Sequence, residues 1–84
     1  MTIKFSPKIR HVKVLDDYII LIIFDNGTKK QYDFKSKLDM YPYITIKNPG
    51  VFKSVQIDAG GYGLSWNDEV DISEYELWTN GINI

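Results

Sequence analysis

The sequence has no cysteine and a single histidine, His11. Without cysteine, neither a disulfide nor a thiolate metal site can hold the chain together. One imidazole cannot supply the ligand set of a transition-metal site, and no nucleophile elbow accompanies it to suggest a catalytic triad. We therefore expect no metal, no cofactor and no enzymatic activity.

An excess of one charge is also missing, as is any long apolar run. Ten basic residues face eleven acidic ones, for a formal net charge of −1. Nucleic-acid binders and proteins that dock on anionic membranes usually carry a basic excess, so we expect neither partner. The longest apolar run, residues 18–24, is far shorter than the ~20 residues of a membrane helix, and residues 1–7 do not resemble a signal peptide. We expect a cytoplasmic protein.

What the sequence does contain predicts one α+β domain over residues 1–84. Hydrophobic residues make up 44% and aromatic residues 14%, enough for a real core. Alternating and β-branched segments in the first half predict an antiparallel meander of three strands, over residues 9–15, 18–24 and 28–33. Asn26-Gly27 predicts a two-residue type I′ hairpin turn with positive φ at both residues.

The second half predicts two or three short helices and a second hairpin. Asp33 caps a possible helical turn over residues 34–38, and Asn48-Pro49 is typical of a helix start. A hairpin follows, with strands over residues 54–58 and 64–66, the second of which contains Trp66. Ser73 and Glu76 have the spacing of a capping box, which predicts a helix over residues 74–79.

Residues 18–24 are apolar on both faces of their predicted strand. Ile19, Leu21 and Ile23 form one face, and the residues at even positions form the other. If one face of the sheet were exposed to solvent, the residues of one of these two faces would be polar. Either the chain covers both faces itself or another chain, a second copy or a small protein partner, buries part of the second face. The residues predicted to form this interface are Tyr18, Ile20, Ile22, Trp66 and Trp78.

Two other kinds of site remain as alternatives. A basic cluster interleaved with an aromatic ring resembles a nucleic-acid platform, although neighbouring lysines on a strand point to opposite faces; it comprises Lys29, Lys30, Tyr32, Lys35 and Lys37. Alternatively, Asp33, Asp58 or Asp71 would serve a small ligand-binding or hydrolytic site at a dimer interface. The glycine-rich residues 60–63 predict a turn and not a phosphate loop, because a strand follows them where a phosphate site needs a helix.

The ordered motifs resemble a widespread bacterial family of small domains of unknown function, number 2442. The resemblance runs roughly from residue 9 to residue 77. It rests on Phe24-Asp25-Asn26-Gly27, Tyr32-Asp33-Phe34, Pro49, Phe52, Val55, Ile57-Asp58, Leu64-Ser65-Trp66 and Val70-Asp71-Ile72. It implies a compact α+β domain with a hairpin, a short helical middle and a Trp-containing second hairpin. The chain departs from the family pattern at residues 60–63 and 41–47.

The resemblance also implies a role in binding another protein. Some relatives carry a helix-turn-helix domain after this module; the present chain shows none, so direct DNA binding is not implied. Other relatives lie beside a second small protein in a way that suggests a toxin–antitoxin-like pair. The family offers no catalytic residues. We therefore predict a non-enzymatic protein-interaction module.

Overall fold

The structure is a computed structural model that describes residues 6–84, and it confirms the α+β class. The described chain has seven strands and two α-helices, joined by short 3₁₀ turns. In chain order these are β1 (Ile9–Val14), β2 (Ile19–Phe24), β3 (Lys29–Asp33), α1 (Pro49–Phe52), β4 (Gln56–Ile57), β5 (Gly63–Ser65), β6 (Asp71–Ser73), α2 (Glu74–Asn80) and β7 (Ile82–Asn83).

The strands form two antiparallel sheets. The larger has the order β1-β2-β3-β7, so the predicted three-strand meander is confirmed and gains a fourth strand at its edge. The smaller has the order β4-β5-β6, in which the predicted second hairpin is extended by β6. Two-residue β7 and three-residue β6 are too short to show a periodic pattern, which is why the sequence did not predict this pairing.

The core lies between one face of the larger sheet and the rest of the chain. Ile20, Ile22 and Phe24 of β2 point into it and have no exposed surface. Helix α2 lies against β3, β5 and β6, and its Leu77 is also fully buried. We call this side of the sheet the inner face and the opposite side the outer face.

Aromatic rings fill another part of the core. Phe34 is fully buried, and its ring lies 5.7 Å from that of Phe52 and 5.2 Å from that of Trp66. The indole Nε1 of Trp66 donates to the carbonyl oxygen of Phe52 at 2.9 Å. A buried indole N–H needs such a partner. Trp66 therefore ties the second sheet to α1.

The Asn26-Gly27 hairpin is present, but its predicted turn type is wrong. Gly27 has a φ of 87°, whereas Asn26 is not at positive φ. The amide of Gly27 donates to the carbonyl of Phe24 at 2.9 Å, and the amide of Phe24 donates to the carbonyl of Thr28 at 2.9 Å. The loop therefore has three residues, Asp25 to Gly27, and this length sets the register of β3 against β2.

The predicted helix starts are confirmed by their caps. Asn48 Oδ1 accepts from the amides of Gly50 at 2.8 Å and Val51 at 3.4 Å at the start of α1. Ser73 Oγ accepts from the amide of Glu76 at 3.1 Å at the start of α2. The reciprocal half of the capping box is replaced, because Glu76 Oε2 instead accepts from the hydroxyl of Tyr32 at 2.8 Å.

The connection between β1 and β2 is strained. Asp17 and Tyr18 have φ of 60° and 61°, a region that side chains other than glycine rarely adopt. The Tyr18 hydroxyl donates to the carbonyl oxygen of Lys47, and its ring meets that of Phe52 edge-on at 5.1 Å. These contacts hold the strained turn against the helical middle of the chain.

Candidate functional site

The predicted interface residues lie mainly in the interior, which corrects the choice of face. Ile20 and Ile22 have no exposed surface, and Trp66 is only 8% exposed. Tyr18 and Trp78 are half-buried and pack against the core. The physical reason is that α2 and the aromatic cluster cover the inner face, so the residues chosen as open to a partner are the ones that the chain itself buries.

The other face of the same strand carries apolar residues that are only partly covered. Ile19, Leu21 and Ile23 are half-buried and do not belong to the core cluster. We call these three residues the outer stripe. Their neighbours on the same face, His11, Lys13, Lys29 and Asp33, are exposed, so part of the stripe stays open to solvent.

Strand register places a polar residue on each side of this stripe. On β1, Lys13 lies opposite Leu21 and His11 lies opposite Ile23. On β3, the stripe residues face polar partners in the same way: Asp33 opposite Ile19, Gln31 opposite Leu21 and Lys29 opposite Ile23. Directly paired side chains have Cβ atoms about 5 Å apart. The aliphatic stems of the lysines therefore shield the stripe in part, while their ammonium groups stay in water.

The two lysines beside the stripe, Lys13 and Lys29, have no salt-bridge partner among residues 6–84. Asp33, the one acidic side chain that the sheet places on this face, lies 3.6 Å from the Lys35 ammonium group. The outer stripe is thus flanked on each side by one lysine that has no salt-bridge partner among the described residues.

A second exposed apolar group lies in the irregular middle of the chain. Met40, Tyr41 and Ile44 are 57%, 71% and 48% exposed. We call these three residues the middle cluster. It lies outside the larger sheet, and its Ile44 belongs to the 3₁₀ helix Tyr43–Ile46, so it serves as an internal comparison for the experiments below.

The basic cluster weighed as a nucleic-acid platform is dispersed by the fold. Lys29 lies on the outer face, whereas Lys30 points inward and is only 9% exposed. The Lys30 ammonium group donates to the carbonyl oxygen of Trp78 and lies 4.4 Å from the centre of its indole ring. Tyr32 is buried as well, and Lys35 pairs with Asp33. Lys37 lies 5.9 Å from the centre of the Tyr32 ring, but Lys29 and Lys30 lie on opposite faces of the sheet, so the five residues do not form one surface.

The carboxylates weighed as a ligand-binding or hydrolytic site are brought together only in part. Asp58 and Asp71 line the same shallow cleft of about 190 Å³, whereas Asp33 lines a different one. Asp58 Oδ1 accepts from the hydroxyl of Ser65 at 2.7 Å, which gives it a structural role in the second hairpin. Within residues 6–84, no three histidine, cysteine or acidic side chains are grouped to hold a metal ion.

The glycine-rich segment is a turn, as predicted. Gly60 and Gly61 have φ of 78° and 75°, and β5 begins directly after Tyr62. No helix start is present there to bind a phosphate. Within the described residues, no helix is long and apolar enough to cross a membrane.

Tyr32 is the group whose ionisation the fold changes most clearly. Burial, and next the hydrogen bond to Glu76, raise the pKa of its phenol above the ordinary value. The same Glu76 oxygen accepts from the Asn80 side-chain amide at 2.9 Å. This small network joins β3 to α2 on the inner face, so we assign it to stability and not to a site.

The raised pKa predicts a stability that falls in strong base. An unfolded tyrosine ionises near pH 10, so the contribution of neutral Tyr32 is fully present below that pH and is lost as the pH rises toward the folded-state pKa. We expect Tyr32→Phe to be less stable than the wild type by about 1–2 kcal/mol at neutral pH. That difference should shrink above about pH 10. Urea denaturation of both proteins across this range measures it, and a constant difference would contradict the assignment.

The fold and its surface define a small two-sheet α+β domain with an open apolar sheet face. The sequence model of a family described as "Protein of unknown function (DUF2442)" matches residues 9–83. The chain therefore belongs to this family, and the resemblance read from its motifs is confirmed. No curated protein and no solved structure matches the chain.

Proposed function

We propose that this chain is a non-enzymatic protein-interaction module whose docking surface is the outer face of the larger sheet. The observation that carries the proposal is the outer stripe: Ile19, Leu21 and Ile23 stand in line on an inner strand of the sheet, are only half-buried and lie outside the core cluster. A contiguous apolar surface on a folded domain usually marks an interaction site. The occupant is a small protein partner or a second copy of the chain.

The rigidity of the surrounding sheet supports a docking role. Strand β2 is hydrogen-bonded on both sides, and the opposite side chains of the same strand are locked in the core. The stripe is therefore presented in a fixed geometry, which lowers the entropic cost of binding. A partnership of the toxin–antitoxin-like kind is the finer form of this proposal, in which the partner is one small protein.

The test changes the stripe without touching the core. Ile19→Thr combined with Ile23→Thr keeps two β-branched residues on the strand but removes apolar surface. Ile44→Thr, in the middle cluster, is the matched control at another exposed site. We expect each variant to lose less than about 1 kcal/mol of stability, because all three positions are partly or largely exposed.

Each protein is immobilised and used to capture partners from an extract of the source cell, and light scattering measures its mass in solution over a range of concentrations. We expect a captured protein, or a dimer, with the wild type and the Ile44→Thr control, and its loss with the stripe variant. Capture or dimerisation that survives the stripe variant but is lost with Ile44→Thr would move the interface to the middle cluster and contradict the proposal.

A further inference from the structure

We infer that the occupant of the outer face is a single amphipathic helix from another protein, with acidic residues on both sides of its apolar line. This inference rests on the proposed interaction role and specifies the partner. It follows from the width of the stripe, from its length and from the charges beside it.

The outer stripe is one strand wide between polar side chains on β1 and β3, and the next apolar side chain on this face, Ile82 of β7 opposite Gln31, lies two strands away. Neighbouring strands lie about 4.8 Å apart, so the polar side chains on β1 and β3 stand about 10 Å apart across the stripe. That spacing is close to the diameter of an α-helix. A packed sheet would need an apolar face several strands wide, and here its outer strands would meet Lys13 and Lys29.

The length of the stripe also fits a helix. Ile19 and Ile23 are four residues apart, which is about 13 Å along a strand. A helix with apolar residues at positions i, i+4 and i+7 presents them over about 10 Å. Three apolar contacts from such a helix therefore match the three residues of the stripe.

The charges favour an acidic partner over a second copy. Lys13 and Lys29 flank the stripe from opposite sides and have no carboxylate partner among residues 6–84. Two copies docked face to face would bring four such lysines together, while Asp33 is already paired with Lys35. Like charges brought together at an interface suppress the wrong association, and glutamate or aspartate beside the apolar line of a helix would satisfy both lysines.

The test uses two synthetic peptides of about 20 residues, long enough to be helical alone. Both carry the same leucine line at i, i+4 and i+7; one has glutamate on each flank and the other has lysine at the same positions. Circular dichroism first checks that their helix contents are equal. Fluorescence anisotropy then measures their binding to the wild type, to the Ile19→Thr, Ile23→Thr stripe variant and to a Lys13→Glu, Lys29→Glu variant.

We expect the glutamate peptide to bind the wild type at least about ten-fold more tightly than the lysine peptide, and the preference to weaken with salt. The charge-reversed variant should prefer the lysine peptide, and the stripe variant should bind neither. Absence of binding by the glutamate peptide, or equal binding of both peptides, would overturn the inference. Retention of a DNA oligonucleotide that the charge-reversed variant loses would overturn it in favour of nucleic acid.

The two proposals fail in different ways. If cell-extract capture or dimerisation depends on Ile19 and Ile23 but the glutamate peptide does not bind, the interaction role stands and the acidic helix is wrong. A dimer that the stripe variant abolishes would identify the occupant as a second copy.

Discussion

Replacing Ile20 and Ile22 together with threonine is expected to remove most of the domain's stability. Both side chains have no exposed surface. Each substitution therefore removes buried apolar atoms and buries a hydroxyl group in the hydrophobic core. Each loss amounts to about 2 kcal/mol. The pair therefore removes about 4 kcal/mol from a fold whose total stability lies near the low end of the usual 5–15 kcal/mol.

The matched control is the same double substitution on the opposite face of the same strand, Ile19→Thr with Ile23→Thr. Residue types, strand and β-propensity are identical, and only burial differs. We expect urea denaturation followed by circular dichroism to show a cooperative transition near the wild-type midpoint for the control, and a transition shifted to a much lower urea concentration for the core pair. Equal midpoints would mean that the two faces of β2 are covered alike, and the assignment of the outer stripe would be wrong.

The sequence alone could not show which face of β2 is buried, because the register of β3 against β2 depends on the length of the hairpin loop, and one residue more or less changes it. A two-residue turn at Asn26-Gly27 would have paired Ile20 with Asp33 and Ile22 with Gln31. The even-numbered residues of β2 would then have had the polar neighbours. The observed three-residue loop instead pairs Ile20 with Tyr32 and Ile22 with Lys30. Shifting the register by one residue exchanges the two faces of a strand relative to its neighbour. The polar residues on β3 then flank the outer stripe.

The signals for helix starts were reliable, whereas the Asn26-Gly27 signal gave the hairpin but not its turn type. Asn48 and Ser73 cap the helices that they were predicted to cap, because a cap is fixed by residues within one turn. The third strand of the smaller sheet and the edge strand β7 depend on pairing with distant residues, and their lengths of three and two residues carry no pattern of their own. The candidate site belongs to this second kind, since it exists only through the register of β1, β2 and β3.

Lys30 shows how tertiary contacts override a surface pattern. A lysine on a predicted polar strand indicates a solvent-facing edge, yet its ammonium group is turned to the carbonyl of Trp78 near the end of α2. The last carbonyls of a helix lack partners within the helix and attract cations. The same strand therefore contributes Lys29 to the outer face and uses Lys30 to fasten α2 to the inner one.

Gly61→Ala is expected to cost roughly 3 kcal/mol, the largest loss from any single substitution considered, from strain and backbone overlap together. Gly61 has a φ of 75°, and a Cβ at this position would lie 2.5 Å from the carbonyl oxygen and 3.0 Å from the amide nitrogen of Ile9. Ile9 cannot easily retreat, because it is 5% exposed and pairs with Phe24. The turn of the second hairpin therefore packs directly on the start of β1.

Gly27→Ala is the control that separates the cost of the left-handed backbone conformation from the cost of steric overlap with Ile9. Gly27 has a φ of 87°, but a Cβ there would meet no atom within 4 Å, so only the left-handed conformation should cost free energy, about 1 kcal/mol. Urea denaturation of both variants measures the difference. A loss about 2 kcal/mol greater for Gly61→Ala would show that the two sheets meet through backbone contact at Ile9. Equal losses would mean that the backbone of Ile9 can move to accommodate a Cβ at position 61. The contact between Gly61 and Ile9 would then not fix the smaller sheet against β1.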